Sequence, residues 1–193
     1  VSVAEKRNFV YYNSMSEKNH LYAHAFLQIE NVGSETLKTL AEFFGDLETA
    51  WHAPATDILA LPAIRENKKH VLVEWRKRID PEKEWGALLE QEITLLTLDD
   101  ETFPALLREI PDAPYTLYTK GTSDWTTPPP MIAIVGSRKF TAYGEQVAAK
   151  LSVDLTRAGF LVVSGLAFGI DSVSHEAALE AGGASGEVQD LRE

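Results

Sequence analysis

The chain has 193 residues, 45% of them hydrophobic and 24% charged, with no cysteine. Eighteen lysines and arginines against 29 acidic residues leave a formal charge of −11, which excludes a protein that coats nucleic acid by bulk charge and confines any nucleic-acid site to a local patch. The missing cysteines exclude thiolate catalysis, zinc ribbons, iron–sulfur clusters and disulfides, and fit a cytoplasmic protein. The longest apolar stretch, Phe160 to Ile170, is about half of the roughly 20 residues needed to span a bilayer. The amino end, with Glu5, Lys6 and Arg7 followed by Tyr11, Tyr12 and Asn13, contains no apolar core of a secretory signal.

Residues 1–92 are expected to form a helical domain. Ser16 is placed to cap a helix carrying Leu21, Ala25 and Ile29, and Leu37, Leu40, Phe43 and Phe44 repeat at helical spacing before Gly45. Asp46 caps Leu47–Ala53, Pro54 begins another turn, and Pro62 opens a longer helix that Asp80-Pro81 ends. That helix carries Lys68, Lys69, Arg76, Lys77 and Arg78, read as a solvated polar face because acidic residues interleave nearby. Pro81 opens the next helix, through Glu92.

Residues 93–130 are read as a connecting segment. Thr94–Leu98 and Tyr115–Tyr118 have the composition of short strands, and Asp99 or Asp100 is placed to cap a short helix containing Leu106 and Leu107. The run Thr126-Thr127-Pro128-Pro129-Pro130 suits neither helix nor central strand and marks a stiff linker. Charge also divides the chain: ten basic against eleven acidic residues in 1–80, three against ten in 81–130, and five against eight in 131–193.

Residues 131–193 read as alternating β and α. Met131–Val135 and Phe160–Val163 are apolar strands of the kind buried on both faces, and Tyr143–Ala158 and Ser172–Ala181 are helices. Strands joined by a crossover helix pair in parallel. The fold class is therefore α/β, a small helical domain followed by a parallel-sheet domain.

The first strand ends in Gly136-Ser137-Arg138-Lys139 and the second in Ser164-Gly165, leading to Gly169 and Asp171. Both loops fall at the carboxyl edge of the sheet, where open parallel sheets bind ligands and helix amino termini present free N–H groups. Gly136, Gly165 and Gly169 let a phosphate approach the backbone, and Ser137 and Arg138 add a hydroxyl and a charged fork. Simpler roles stand beside these: an ordinary turn with a surface arginine, glycines that permit tight packing, and Asp171 as a helix cap. Neither the dinucleotide fingerprint G-x-G-x-x-G nor the P-loop Gly-Lys-Ser/Thr is present.

Ser164, Asp171 and His175 do not make a catalytic triad, because the serine lacks a strained elbow and Asp171 sits at a helix start. His20 and His24 share a helix face without a third ligand, so no metal is expected. Tyr11, Tyr12, Trp51, Trp75 and Trp85 are assigned to packing.

The loops Ile134-Val135-Gly136-Ser137-Arg138, Tyr143-Gly144 and Val163-Ser164-Gly165-Leu166-Ala167-Phe168-Gly169-Ile170-Asp171, followed by His175–Leu179 and Ala181-Gly182-Gly183, resemble the DNA-processing protein A family, DprA, also called Smf. The stretch from Asp100 to Gly121 is similar to the segment before the nucleotide-fold domain of that family, and Gly33, Leu37 and Phe44–Trp51 resemble its amino-terminal module of sterile-alpha-motif or helix-hairpin-helix type. The hairpin Glu30-Asn31-Val32-Gly33 lacks one of the two glycines of such modules, which weighs against DNA contact there.

The resemblance implies a cytoplasmic, non-enzymatic protein whose parallel-sheet domain is an incomplete Rossmann-like one, which binds single-stranded DNA, needs no cofactor, and helps load the recombinase RecA in natural transformation of competent cells. It implies that Gly136, Ser137 and Arg138 hold the DNA backbone, with Gly165, Gly169 and Asp171 shaping the second wall and Ser164 among the DNA- or phosphate-binding residues, and that the family dimerises through surfaces beyond Gly183. Because further βα units follow in the family, the chain is expected to be a truncated or frameshifted member with a two-strand sheet, and Val1 to reflect a non-standard start or an incomplete reading frame. The alternatives are a nucleotide-binding or nucleotide-processing enzyme of a related superfamily, which would need a Pro-Gly-Gly turn that the chain lacks, and a non-functional fragment.

Overall fold

A computed structural model describes residues 15–121, 127–183 and 185–187, divided into two compact units between Thr126 and Thr127. Thr126, the first residue of the expected linker, and Tyr11 and Tyr12 lie outside the described residues.

The first unit begins with six helices: α1 Met15–Leu27, α2 Ser34–Phe44, α3 Leu47–His52, α4 Ala55–Leu59, α5 Glu66–Arg76 and α6 Pro81–Glu90. Their boundaries follow cap chemistry. Asp46 accepts from the Thr49 N–H (2.6 Å) at the start of α3, and Asp80 accepts from the N–H groups of Glu82 and Lys83 (3.1 and 3.2 Å) at the start of α6. Asn31 occupies the left-handed region at φ 63°, a conformation that asparagine tolerates better than most non-glycine residues, so the α1–α2 hairpin turns without the second glycine. The helix expected from Pro62 starts at Glu66, with Arg65 still extended. Ser16, expected as a cap, lies within α1.

Strands β1 Ile93–Thr97 and β2 Thr116–Lys120 pair antiparallel with Leu95 opposite Tyr118, and α7 Ala105–Arg108 lies between them. The segment read as a connector belongs to this unit: Leu95 and Tyr115 are buried in one core with Phe26, Ile29, Leu37 and Leu72. Pro104, not an aspartate, takes the cap position of α7. Asp100 instead accepts from the amide and hydroxyl of Thr97 and lies 2.7 Å from His20 Nε2, fastening α1 to the β-hairpin. Trp51 and Trp85 are buried, and Phe26 meets Trp51 edge-on at 4.8 Å.

The basic residues of α5 are not a uniformly solvated face. Lys69 is buried and donates to the Leu59 carbonyl (2.9 Å), and Arg76 donates to the carbonyls of Ala50, Trp51 and Ala53 (2.8, 2.7 and 3.2 Å) at the carboxyl end of α3. Both cations cap orphan helix carbonyls.

The second unit runs β3 Met131–Ala133, α8 Ala142–Arg157, β4 Leu161–Ser164, α9 Ile170–Glu180 and β5 Ser185–Glu187. The strands form a parallel sheet in the order β3-β4-β5, with Met131 opposite Leu161 and Val162 opposite Ser185. A third strand thus replaces the expected two-strand sheet, and central β4 is flanked on both sides. Leu161 and Val162 are buried, whereas Met131 and Val135 are exposed, so β3 is shorter and less covered than an apolar run predicts. The fold is the expected α/β class, a helical amino-terminal region followed by a small Rossmann-like parallel sheet.

Candidate functional site

The site lies at the carboxyl ends of β3 and β4. The ladder continues past β3, where the Ile134 N–H donates to the Val163 carbonyl (3.0 Å), and the Ser164 hydroxyl donates to the Ile134 carbonyl (2.7 Å). The two chains therefore stay joined until the loops begin. Ser164 is buried and its hydroxyl is used within the sheet, so it supports the loops from below instead of forming a wall.

Two glycines let the loops interlock. A side chain on Gly136 would press its Cβ to 2.7–2.8 Å from three atoms of Ile170. Gly169 has φ 109°, and a Cβ there would collide with the Ser137 carbonyl oxygen and lie 2.6 Å from Arg138 Cα. The Ile170 N–H donates to the same Ser137 carbonyl (3.3 Å). Tight packing of loop on loop accounts for both glycines.

Asp171 is not the helix cap; Gly169 holds that position and Asp171 lies in the first turn of α9. It is 5% exposed, and its carboxylate accepts from the Gly136 N–H (3.3 Å) while its other oxygen is 3.4 Å from where a Gly165 Cβ would sit. A carboxylate in the first helical turn is favoured by the helix dipole. It repels phosphate, however, and already engages the Gly136 amide. Asp171 is thus a positioning residue that ties the two loops, and Gly136 offers no free N–H group.

Open amides remain in both loops, and the exposed cations lie at the tip of the first. The Ser137 hydroxyl donates to the Lys139 carbonyl (2.7 Å) and accepts from the Lys139 N–H (3.0 Å), closing a tight turn. Arg138 and Lys139 project from it, both exposed. Among the described residues, the Ser137 and Arg138 amides and the Arg138 guanidinium have no hydrogen-bond partner. The second loop is pinned by Ser172, whose hydroxyl donates to the Ala167 carbonyl (2.9 Å), and it holds Leu166 in the left-handed region at φ 51°. Such a surface combines unpaired N–H donors and two cations in a fixed turn, the means to hold an anion through its oxygens.

Gly136, Ser137, Arg138, Gly165, Gly169 and Asp171 therefore converge, while Ser164 lies beneath them. Sequence reasoning missed Ile170, which fills the space Gly136 leaves, and Ser172, whose only signal was its place in the first turn of α9. Ser164, Asp171 and His175 share no hydrogen bond; His175 is buried with Nε2 unpartnered among the described residues. His24 lies 2.8 Å from the Tyr118 hydroxyl, and burial lowers its pKa and raises that of Tyr118. Among the described residues no group of three His, Asp or Glu side chains is placed to hold a metal, and no helix is long and apolar enough to cross a membrane.

Residues 94–188 match the sequence model of the family described as DNA recombination-mediator protein A. Protein Smf of Synechocystis sp. is 33% identical over 172 residues, which cover 88% of this chain and 43% of that protein. DNA processing protein DprA of Bacillus subtilis is 40% identical over 98 residues, 51% of this chain and 33% of that one. The X-ray structure of DNA processing protein A (DprA) from Streptococcus pneumoniae superposes with a TM-score of 0.66 at 28% identity, covering 88% of this chain and 57% of that one. The chain thus spans between about a third and just over half the length of these proteins.

Proposed function

Because the chain belongs to the DprA/Smf family, we propose that residues 127–187 bind single-stranded DNA by its sugar–phosphate backbone and that the protein acts as a recombination mediator. The observation that carries this reading is the turn at Ser137–Lys139, where two exposed cations and unpaired amides stand beside an interlocked pair of glycine loops. Donors of this kind grip phosphate without reading bases, and in a chain of net charge −11 the electrostatic part of the affinity has to come from a local patch such as this one. Gly165 and Gly169 shape the second loop, and Asp171 and Ser164 hold the frame.

The reading is of a binding site, not an enzyme. Ser164, at the strand end, donates its hydroxyl to a backbone carbonyl, and the Asp171 carboxylate holds an amide. In the full reading the bound strand is delivered to RecA in the cytoplasm during natural transformation, by a protein that pairs with a second copy; support for these partners is membership of the family.

The test is fluorescence anisotropy of a labelled poly-dT oligonucleotide at two salt concentrations, with a duplex of equal length as competitor. Salt-sensitive binding that prefers the single strand is expected, and Arg138→Ala should weaken it roughly tenfold for all sequences and reduce the salt slope by about one. No binding, or binding indifferent to Arg138, would overturn the reading.

A further inference from the structure

Phe168 is 87% exposed, the most exposed large hydrophobic side chain among the described residues, yet it lies in the middle of the second glycine loop. Free loops often carry such residues loosely, but this loop is held on both sides. The Ser172 hydroxyl fixes the Ala167 carbonyl immediately before Phe168, and Gly169 immediately after it packs on the Ser137–Arg138 backbone. An aromatic ring with few rotatable bonds is thereby held out to solvent at a fixed place.

That place is beside the cationic turn. The Cβ position of Gly169 is 2.6 Å from Arg138 Cα, so Phe168, one residue away, has its Cα within about 8 Å of Arg138 Cα. A nucleotide whose phosphate rests on the Arg138 turn carries its base, or its neighbour's, within reach of the ring. Leu166, also exposed and held in a left-handed conformation, extends the apolar surface on the same loop.

The geometry points to Phe168 as a stacking platform for one unpaired nucleobase, adjacent to the phosphate held at Arg138; this rests on the single-stranded DNA reading above. Stacking on an aromatic ring is tolerant of sequence, because every base has a π face, and it is denied to a duplex whose bases are already stacked. Phe168 thus supplies the preference for single strands that phosphate contacts alone do not.

The experiment compares the full chain and Phe168→Ala on two oligonucleotides of equal length and charge, poly-dT and a fully abasic strand, at one salt concentration. The wild type should bind poly-dT roughly tenfold more tightly than the abasic strand. Phe168→Ala should abolish that ratio without changing the salt slope or the melting temperature, and Phe168→Tyr should restore it. A ratio near one in the wild type, or a ratio unchanged in Phe168→Ala, would overturn the platform while leaving backbone binding intact. Failure of the wild type to bind either strand would remove the DNA reading and the platform together.

Discussion

Arg76 and Arg138 carry the same guanidinium in different units and meet opposite fates. Arg76 is half-buried and donates to three carbonyl oxygens at the end of α3, and burial lowers its pKa. Arg138 is exposed at the tip of a turn with no partner among the described residues. The same contrast runs through their surroundings: in the first unit Lys69, Asp100 and Asp46 all close backbone groups, whereas the loop tip of the second keeps amides and cations open. The lesson is that a charged residue indicates a binding site only once its own fold has left it nothing to do.

The largest effect should come from breaking the lock that presents Arg138. Gly169→Val places a branched side chain at φ 109° against the Ser137 carbonyl and Arg138 Cα. Urea denaturation should show a loss of about 3 kcal/mol or more, combining backbone strain with overpacking. A stable Gly169→Val protein would mean that the loops are not interlocked.

Arg76→Ala should come next, removing three hydrogen bonds and leaving carbonyls of α3 and its flank unpaired, at a cost of about 2–3 kcal/mol. Hydrogen exchange should quicken across 47–76 while 142–164 keep their protection. Lysine is expected to rescue poorly, since one ammonium cannot reproduce the planar fork.

Acid offers a finer test of the first unit. Burial pushes the Asp100 carboxyl up, but hydrogen bonds from His20 and Thr97 outweigh it and hold the group down at about 2, below its ordinary 3.8. A carboxyl depressed in the folded state contributes stability above its unfolded value and loses it as pH falls toward the folded value. Stability should therefore drop by about 1–2 kcal/mol between roughly pH 4 and pH 2, read by tryptophan fluorescence. Asp100→Asn should flatten that slope and cost a similar amount at neutral pH.

Local chemistry was legible in the sequence. Asp46 and Pro81 announce helix starts because a cap and a first-turn proline act within one turn, and the strand-to-helix rhythm after Met131 follows from apolar runs and turn residues. What was not legible depends on partners far along the chain. Periodicity put Arg76 on a polar face, but its acceptors lie 23 to 26 residues earlier. The sequence reads Asp171 as a cap, yet Gly169 takes that position and the Asp171 carboxylate serves an amide 35 residues away. Gly136 was visible as a glycine, but its reason is Ile170, and only the fold brings them together. In the same way the loops at Gly136–Arg138 and Gly165–Asp171 could be matched to one family, while which of their donors remain open could not be known before the loops were closed on each other.

The smallest effect is the one that separates the units most sharply. Arg138 has no hydrogen bond or ion pair among the described residues and an exposed side chain, so Arg138→Ala removes no buried contact and leaves no orphaned acceptor. Its cost to stability should stay within about 0.5 kcal/mol, the ordinary range for a surface substitution. The direct comparison is Arg76→Ala in the same denaturation series, since both delete one guanidinium from the same chain. A cost near that of Arg76→Ala would show that Arg138 has a structural partner after all, and the turn at Ser137–Lys139 would lose its standing as an open anion site. A neutral substitution that still weakens DNA binding would assign the guanidinium to the ligand, because an interaction absent from the folded chain can only be made with what the chain binds.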